Sequence, residues 1–289
     1  MVRFLKRLRK AFKSSEAICV DLRKVKRAVA GGTLLFFSEL HRLKTIYPNH
    51  ALRCIPPRDN TVSQVFKHLK IFDAFNHSSR VQPVRDDVVN WRSATSDVID
   101  GKLVGGTLSA YESLKGEKSK LLYRGATEAM NNVVDHAYIQ DRNDGLPSPP
   151  KKSWWLFCME DEENAVVAVC DLGIGIPRSL PLIYPAELIR AAAAKITRGK
   201  IPADSAMIVA AMRLARTRTD VRGRGKGLPD ARAIVDAVPG GKLYIFSNKG
   251  LLEYSNRTYT RKDYTLSIKG TVVIWLVPIK GLEDESDIN

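Results

Sequence analysis

Glu128, Asn132 and His136 lie four residues apart in the stretch EAMNNVVDHAY. Helical spacing stacks them on one face, so a carboxylate, a carboxamide and an imidazole form one polar stripe. A carboxylate beside a cleft can orient or deprotonate water. A carboxamide oxygen suits Mg²⁺, which takes few protein ligands when phosphate oxygens and water complete its octahedron. Further along, the stretch DLGIGIP ends a strand-like run in Asp171 and follows it with Gly173 and Gly175. GRGKGL, residues 223–228, opens another helical run. Each of the three is weak alone. Gly-rich turns often serve only glycine's positive φ, and neither the dinucleotide fingerprint nor the P-loop spacing is present.

Together the three meet the needs of a nucleoside triphosphate: a base recognised, phosphates neutralised, a metal held and water activated. Asp171 can accept a hydrogen bond from an adenine amino group, with Gly173 and Gly175 leaving room for the purine beside the backbone. The N–H groups of Gly223, Gly225 and Gly227 can wrap phosphates, and the helix that begins near Leu228 points its N-terminus at their charge. Asn132 offers an oxygen to Mg²⁺, and Glu128, one turn away, acts on the attacking water.

These residues need a scaffold, and the sequence supplies its elements. A long helix from Lys118 carries the polar stripe and stops at the loop DRNDGLPSPPKK. Two strands, SWWLFCM and AVVAVCDL, joined by the acidic turn EDEEN, deliver Asp171. About fifty basic, helical residues follow, and then the Gly-rich turn and its helix. The strands KLYIFS, LLEYS and GTVVIWLVP finish the chain, before an acidic tail over 283–289. Upstream, residues 17–80 read as βαβα: AICVDL, GGTLLFFSELHRLKTIY, ALRCI, NTVSQVFKHLKIFDAF.

The order and spacing resemble the GHKL superfamily, whose members share the Bergerat ATP-binding fold. EAMNNVVDHAY resembles its N-box, in the form seen in anti-sigma-factor serine kinases. DLGIGIP resembles the G1 box and GRGKGL the G2 box. KGTVVIWLVP, with Thr271, resembles the closing strand whose threonine neighbours the adenine-binding aspartate. The resemblance implies an α/β fold over residues 81–282, a two-layer sandwich with a mixed sheet, with ATP and Mg²⁺ as its ligands. It also implies a lid at about 178–226, with Arg224 and Lys226 reaching the β- and γ-phosphates. His136 either approaches a phosphate or closes the helix as a structural histidine. Residues 17–80 resemble a STAS domain, but AVAGGT stands where that family has its phosphorylatable serine, so no phospho-switch is expected there.

Three uses of ATP stay open: a regulatory ATPase or ATP-gated switch, a serine/threonine kinase of the anti-sigma type, and a nucleic-acid or membrane module with ATP as ligand only. The partners implied are a protein docking on the STAS-like half and a second copy of the chain. The net charge of +15 is concentrated. Residues 1–26 and residues 195–226 each hold nine Lys/Arg and two acids, so the two segments carry 14 of the 15 charges. In the second segment, Arg213, Arg216, Arg218 and Arg222 read as a solvated helix face or as phosphate contacts. In the first, residues 1–16 read as an exposed basic arm whose Phe4, Leu5, Leu8 and Phe12 share a face, suited to an anionic membrane or nucleic acid. No apolar run approaches the roughly 18 residues of a membrane span, and the start lacks a secretory h-region. With Cys19, Cys54, Cys158 and Cys170 read as buried and reduced, the expected location is cytoplasmic.

Overall fold

The computed structural model describes residues 1–197, 202–217 and 228–279. The chain opens with α1 (Val2–Ser14), β1 (Ala17–Asp21), α2 (Ala30–Ile46), β2 (Ala51–Ile55) and α3 (Asn60–His68). β1 and β2 pair in parallel as a two-stranded sheet, which fits the βαβα order read from the sequence. Next come α4 (Asp86–Val89), β3 (Arg92–Ser96), α5 (Gly101–Leu108) and α6 (Glu117–Asn132). α6 runs directly into a wide π-turn at Val133–Ala137. β4 (Trp154–Glu160), β5 (Asn164–Asp171), α7 (Ile176–Ile183), α8 (Ala186–Thr197), α9 (Asp204–Thr217) and α10 (Leu228–Ala237) follow. The last strands are β6 (Lys242–Ser247), β7 (Gly250–Ser255), β8 (Thr258–Asp263) and β9 (Thr271–Pro278).

β3 to β9 form a seven-stranded sheet in the order β3-β4-β5-β9-β6-β7-β8, and every neighbouring pair is antiparallel. The mixed sheet expected from the sequence is therefore not what forms. Short turns join β4 to β5, β6 to β7 and β7 to β8, and tight hairpins allow only antiparallel pairing. β9 returns to fill the space between β5 and β6. β8 was not foreseen. It is an edge strand, exposed along its whole length, so TYTRKD carries no burial period that would reveal it.

Successive side chains along β4 alternate between two buried faces. Trp154, Leu156 and Cys158 join α5, α6, α9 and α10 in one core. Trp155 and Phe157 join α1, α2, α3, β1 and β2 in another, together with Ala168, Cys170 and Val272 of the central strands. Helices thus cover both faces of β4, β5 and β9: α5, α6, α9 and α10 on one, and on the other the elements of residues 1–80, which the sequence sets apart as an arm and a separate small domain. The apolar face of α1 is not an exposed arm. Leu5, Leu8 and Phe12 are buried in the second core, each contributing about 1.5–3 kcal/mol of burial. Among the cysteines, Cys158 and Cys170 are buried, but Cys19 points outward from β1 and Cys54 is only partly covered. Among the described residues no helix is long and apolar enough to cross a membrane.

Charge is buried in the second core as well. Glu39 on α2 accepts from Arg9 Nη2 at 2.6 Å, Arg42 Nη1 at 3.1 Å and both Arg142 Nη atoms at 3.1 and 2.8 Å. Asp144 takes Arg42 at 2.8 Å and Arg142 at 3.1 Å. Burial alone would push the Glu39 carboxyl up, but the Arg142 charge and the hydrogen bond from Arg9 hold it well below the usual carboxylate range. Arg142 also donates to the carbonyls of Lys269 at 2.7 Å and Ile268 at 3.4 Å. It therefore ties α1 and α2 to the turn that enters β9.

Glu39→Gln leaves three buried guanidinium groups against a single carboxylate and should cost about 3–5 kcal/mol in urea unfolding. Because the folded pKa is depressed, the Glu39 contribution is complete above its unfolded pKa of about 4.3 and is lost only as pH falls through the folded value. The wild-type advantage should then be constant from about pH 5.5 to about pH 8. An unchanged unfolding midpoint would show that the cluster adds no stability.

Candidate functional site

α6 forms because Leu122, Ala126, Ala129 and Met130 recur at helical spacing and bury against the sheet. Gly125 lets it approach closely: a Cβ there would meet Trp275 at 3.3 Å and the α10 backbone at 3.4 Å. The opposite stripe carries Glu128 and Asn132. Asn132 Nδ2 donates to the Glu128 carbonyl at 2.9 Å, which leaves Oδ1 as the acceptor end of the carboxamide. Glu128 Oε2 accepts from Asn131 Nδ2 at 3.4 Å. His136 sits half-buried on the π-turn, a helix distortion found often at functional sites.

The facing wall comes from the two central strands. Asp171 ends β5, and its ladder partner on β9 is Thr271. Both continue the buried series that faces α6, Val167 and Val169 on β5 and Val273 and Trp275 on β9. Asp171 is only 6% exposed. Burial pushes its carboxyl up to about 6, against the Gly173 N–H, the Thr271 hydrogen bonds and the Arg142 charge, which favour the anion. The Gly173 N–H donates to Asp171 Oδ1 at 2.8 Å. Thr271 Oγ1 and Ser247 Oγ lie 3.1 Å apart, and Ser247 Oγ also accepts from the Ile176 N–H at 2.8 Å.

The turn after β5 is locked to the π-turn. Ile174 N–H donates to the Ala137 carbonyl at 2.8 Å. A Cβ on Gly173 would lie 2.0 Å from that same oxygen. The sequence suggests that Gly173 leaves room for a ring, but the protein itself fills that space. Gly175 has φ +76°, and a Cβ there would meet Asn248 Nδ2 at 2.6 Å. Tyr138 braces the arrangement, its hydroxyl donating to the Ser153 carbonyl at 2.7 Å and accepting from the Leu172 N–H at 3.2 Å.

Between these walls lies a cleft of about 930 Å³. Glu128, Asn132, His136, Asp171, Gly175 and Thr271 all line it, so six of the residues singled out from sequence meet in one place. Ile176, Leu180, Ile183 and Tyr184 of the α7 region, with Ala211 and Ala215 of α9, add an apolar wall. Leu180 also packs with Ile189, Met207 and Leu214 in a small core shared by α7, α8 and α9. Gly223, Arg224, Gly225, Lys226 and Gly227 lie outside the described residues, as do 198–201, 218–222 and the acidic tail. Leu228 opens α10. Arg213 donates to the Ala192 carbonyl and the Tyr259 hydroxyl, both at 2.7 Å, which joins α9 to α8 and β8.

Sequence reasoning missed the apolar wall, which the docking of α7 and α9 brings to the cleft, and it missed Ser247 and Tyr138, which brace residues beside it: Ser247 Oγ lies 3.1 Å from Thr271 Oγ1, and the Tyr138 hydroxyl accepts from the Leu172 N–H. The site can do two kinds of chemistry. A desolvated acceptor with neighbouring hydroxyls, opposite apolar side chains, suits a flat polar heterocycle. A carboxylate and a carboxamide oxygen one helical turn apart suit a hydrated hard cation. Among the described residues no three His, Cys, Asp or Glu side chains group as a metal cage, so a cation here needs oxygens from its ligand and water. No family model matches the chain, and no curated protein matches it in sequence.

Gly173→Ala should be the most costly small substitution at the site. Its methyl group meets a backbone carbonyl that cannot rotate away, so the loss should reach or exceed about 3 kcal/mol in urea unfolding. Gly106→Ala in α5 meets nothing within 4 Å and should stabilise by about 0.4–1 kcal/mol. Equal effects from the two would show that the contact over Gly173 is relaxed at no cost.

Proposed function

We propose that the chain is a Mg-ATP-binding protein of the Bergerat type, acting as a regulatory ATPase or ATP-gated switch. The observation that carries this reading is the convergence of Glu128, Asn132, Asp171 and Thr271, from a helix and two strands, on one cleft. Its volume falls within the range of small-molecule sites, about 300–1,000 Å³. The buried Asp171 carboxylate accepts the adenine amino group, and Thr271 and Ser247 hold it in place. The apolar wall from α7 and α9 covers the base. Asn132 holds Mg²⁺ through the oxygen that its own hydrogen bond leaves available. When bound, the metal neutralises phosphate charge. Glu128 orients water and takes its proton. The Gly-rich stretch 223–227 and the N-terminus of α10 receive the phosphates.

The N-box form favours a second reading, a serine/threonine kinase. One experiment separates the two: purified protein with ATP labelled at the γ-phosphate. Free phosphate is the expected product, and label on a protein would favour the kinase. Glu128→Ala should keep ATP affinity and lose turnover; normal hydrolysis by this variant would remove Glu128 from its role. Asn132→Ala should weaken ATP binding only when magnesium is present.

Asp171 accepts from an amine more strongly when ionised, because a charged acceptor makes the stronger hydrogen bond. Adenosine, which carries no titrating phosphate, should bind with constant affinity above about pH 7 and lose affinity as pH falls below about 6. Asp171→Asn should bind weakly at every pH. Calorimetry that finds the wild-type profile flat down to about pH 5 would exclude the carboxylate as the acceptor.

A further inference from the structure

Because α1 turns its apolar face inward, only its outer face is open to a partner. That face carries Arg3, Lys6, Arg7, Lys10 and Lys13, all exposed. Among the described residues none of the five is in an ion pair; Arg9, the remaining cation of the helix, points inward to Glu39 and Asp144. The five positions span about 15 Å of helix.

The run continues at both ends. Near the start of α1, the Met1 side chain reaches Gly32, and Lys24, Lys26 and Arg27 are exposed in the loop that enters α2. At the other end, Lys13 Nζ lies 3.0 Å from where a Cβ on Gly145 would stand. Lys269, in the turn before β9, donates through Nζ to the Asn143 carbonyl of that loop at 3.0 Å. Arg178 donates to the carbonyls of Arg142 and Asp141, both at 3.2 Å. Arg178 immediately precedes Ser179, which lines the cleft. Carboxylates interrupt the run little. Asp144 is buried among arginines, Asp21 pairs with Arg23, and Asp141 and Glu16 are the exposed acids nearby.

We propose that this track, from Arg3 along α1 to Arg178 at the edge of the cleft, binds a nucleic-acid backbone through its phosphates without reading base sequence. It does not rest on the nucleotide reading of the cleft. A bilayer fits less well. Leu5, Leu8 and Phe12 are at most 4% exposed, so α1 has few apolar side chains to insert unless it leaves the core and gives up their burial. Duplex DNA carries one phosphate per about 3.4 Å along each strand, so a 15 Å span runs beside about four on one strand and about nine on the two together, comparable with the five cations of the helix. A near-continuous line of one sign suits a uniform polyanion, and release of its counterions drives the binding.

The test is fluorescence anisotropy of the full chain with a short labelled DNA duplex over a range of salt. Five phosphate contacts predict a log–log salt slope of about −4.5. Reversing Lys6, Arg7 and Lys10 to Glu should abolish most of the binding at low salt and make the slope shallower by about 2.7. Its melting temperature should match wild type, because all three side chains are exposed. If that variant fails to fold, Lys6→Gln with Lys10→Gln should flatten the slope by about 1.8. Vesicles containing phosphatidylserine are assayed in parallel. Absence of DNA binding at low salt, a slope unaffected by the substitutions, or binding to vesicles but not to DNA would each overturn the proposal.

Discussion

The Ala137 carbonyl, seated over Gly173 and hydrogen-bonded to the Ile174 N–H, sets the distance between the two walls of the cleft. On one side it belongs to the π-turn that ends α6 and carries His136. On the other it pins the turn that follows Asp171. An α-helix continued without the π-turn would aim that carbonyl along the helix axis at its own chain. The wide turn frees it for the strand end, and only a glycine admits it so closely. The stripe of Glu128 and Asn132 is thereby held opposite Asp171 and Thr271 with no covalent link between the elements.

Behind this contact lies the buried arginine cluster. Arg142 reaches Glu39 on α2 and also holds the carbonyls of Ile268 and Lys269, just before Gly270 and Thr271. Gly270 packs so tightly on Asp171 that a Cβ would lie 2.3 Å from its carbonyl oxygen. The N-terminal layer and the floor of the cleft are therefore physically continuous. Arg9 on α1, Glu39 on α2 and Arg142 thus form one chain of hydrogen bonds that ends at the turn before Thr271.

Elements with a strong apolar period were legible in the sequence. α2, α6, β4 and β5 were read close to where they stand, and the polar stripe on α6 was read as facing a cleft. Strand direction and the packing of residues 1–80 on the second face of the sheet were not legible, because both faces of β4 are buried and the run WWLFCM has the same composition whichever partner covers it. β8 was invisible because an exposed edge strand needs no apolar residues. The role of Gly173 was misread for a related reason. Sequence reveals that a side chain is missing, but not whether a ligand or a carbonyl takes its space. Arg9 looked like the other cations of α1, and nothing in its spacing marks it as the one that turns inward.

The most direct measurement is a crystal structure of the chain grown with Mg²⁺ and a non-hydrolysable ATP analogue. The exocyclic amine of the base should lie within hydrogen-bonding distance of an Asp171 carboxylate oxygen, with the metal on Asn132 Oδ1 and the phosphates directed toward the start of α10. A base bound away from Asp171, or a cleft without nucleotide in crystals grown at saturating concentration, would contradict the assignment of this cleft as an ATP site.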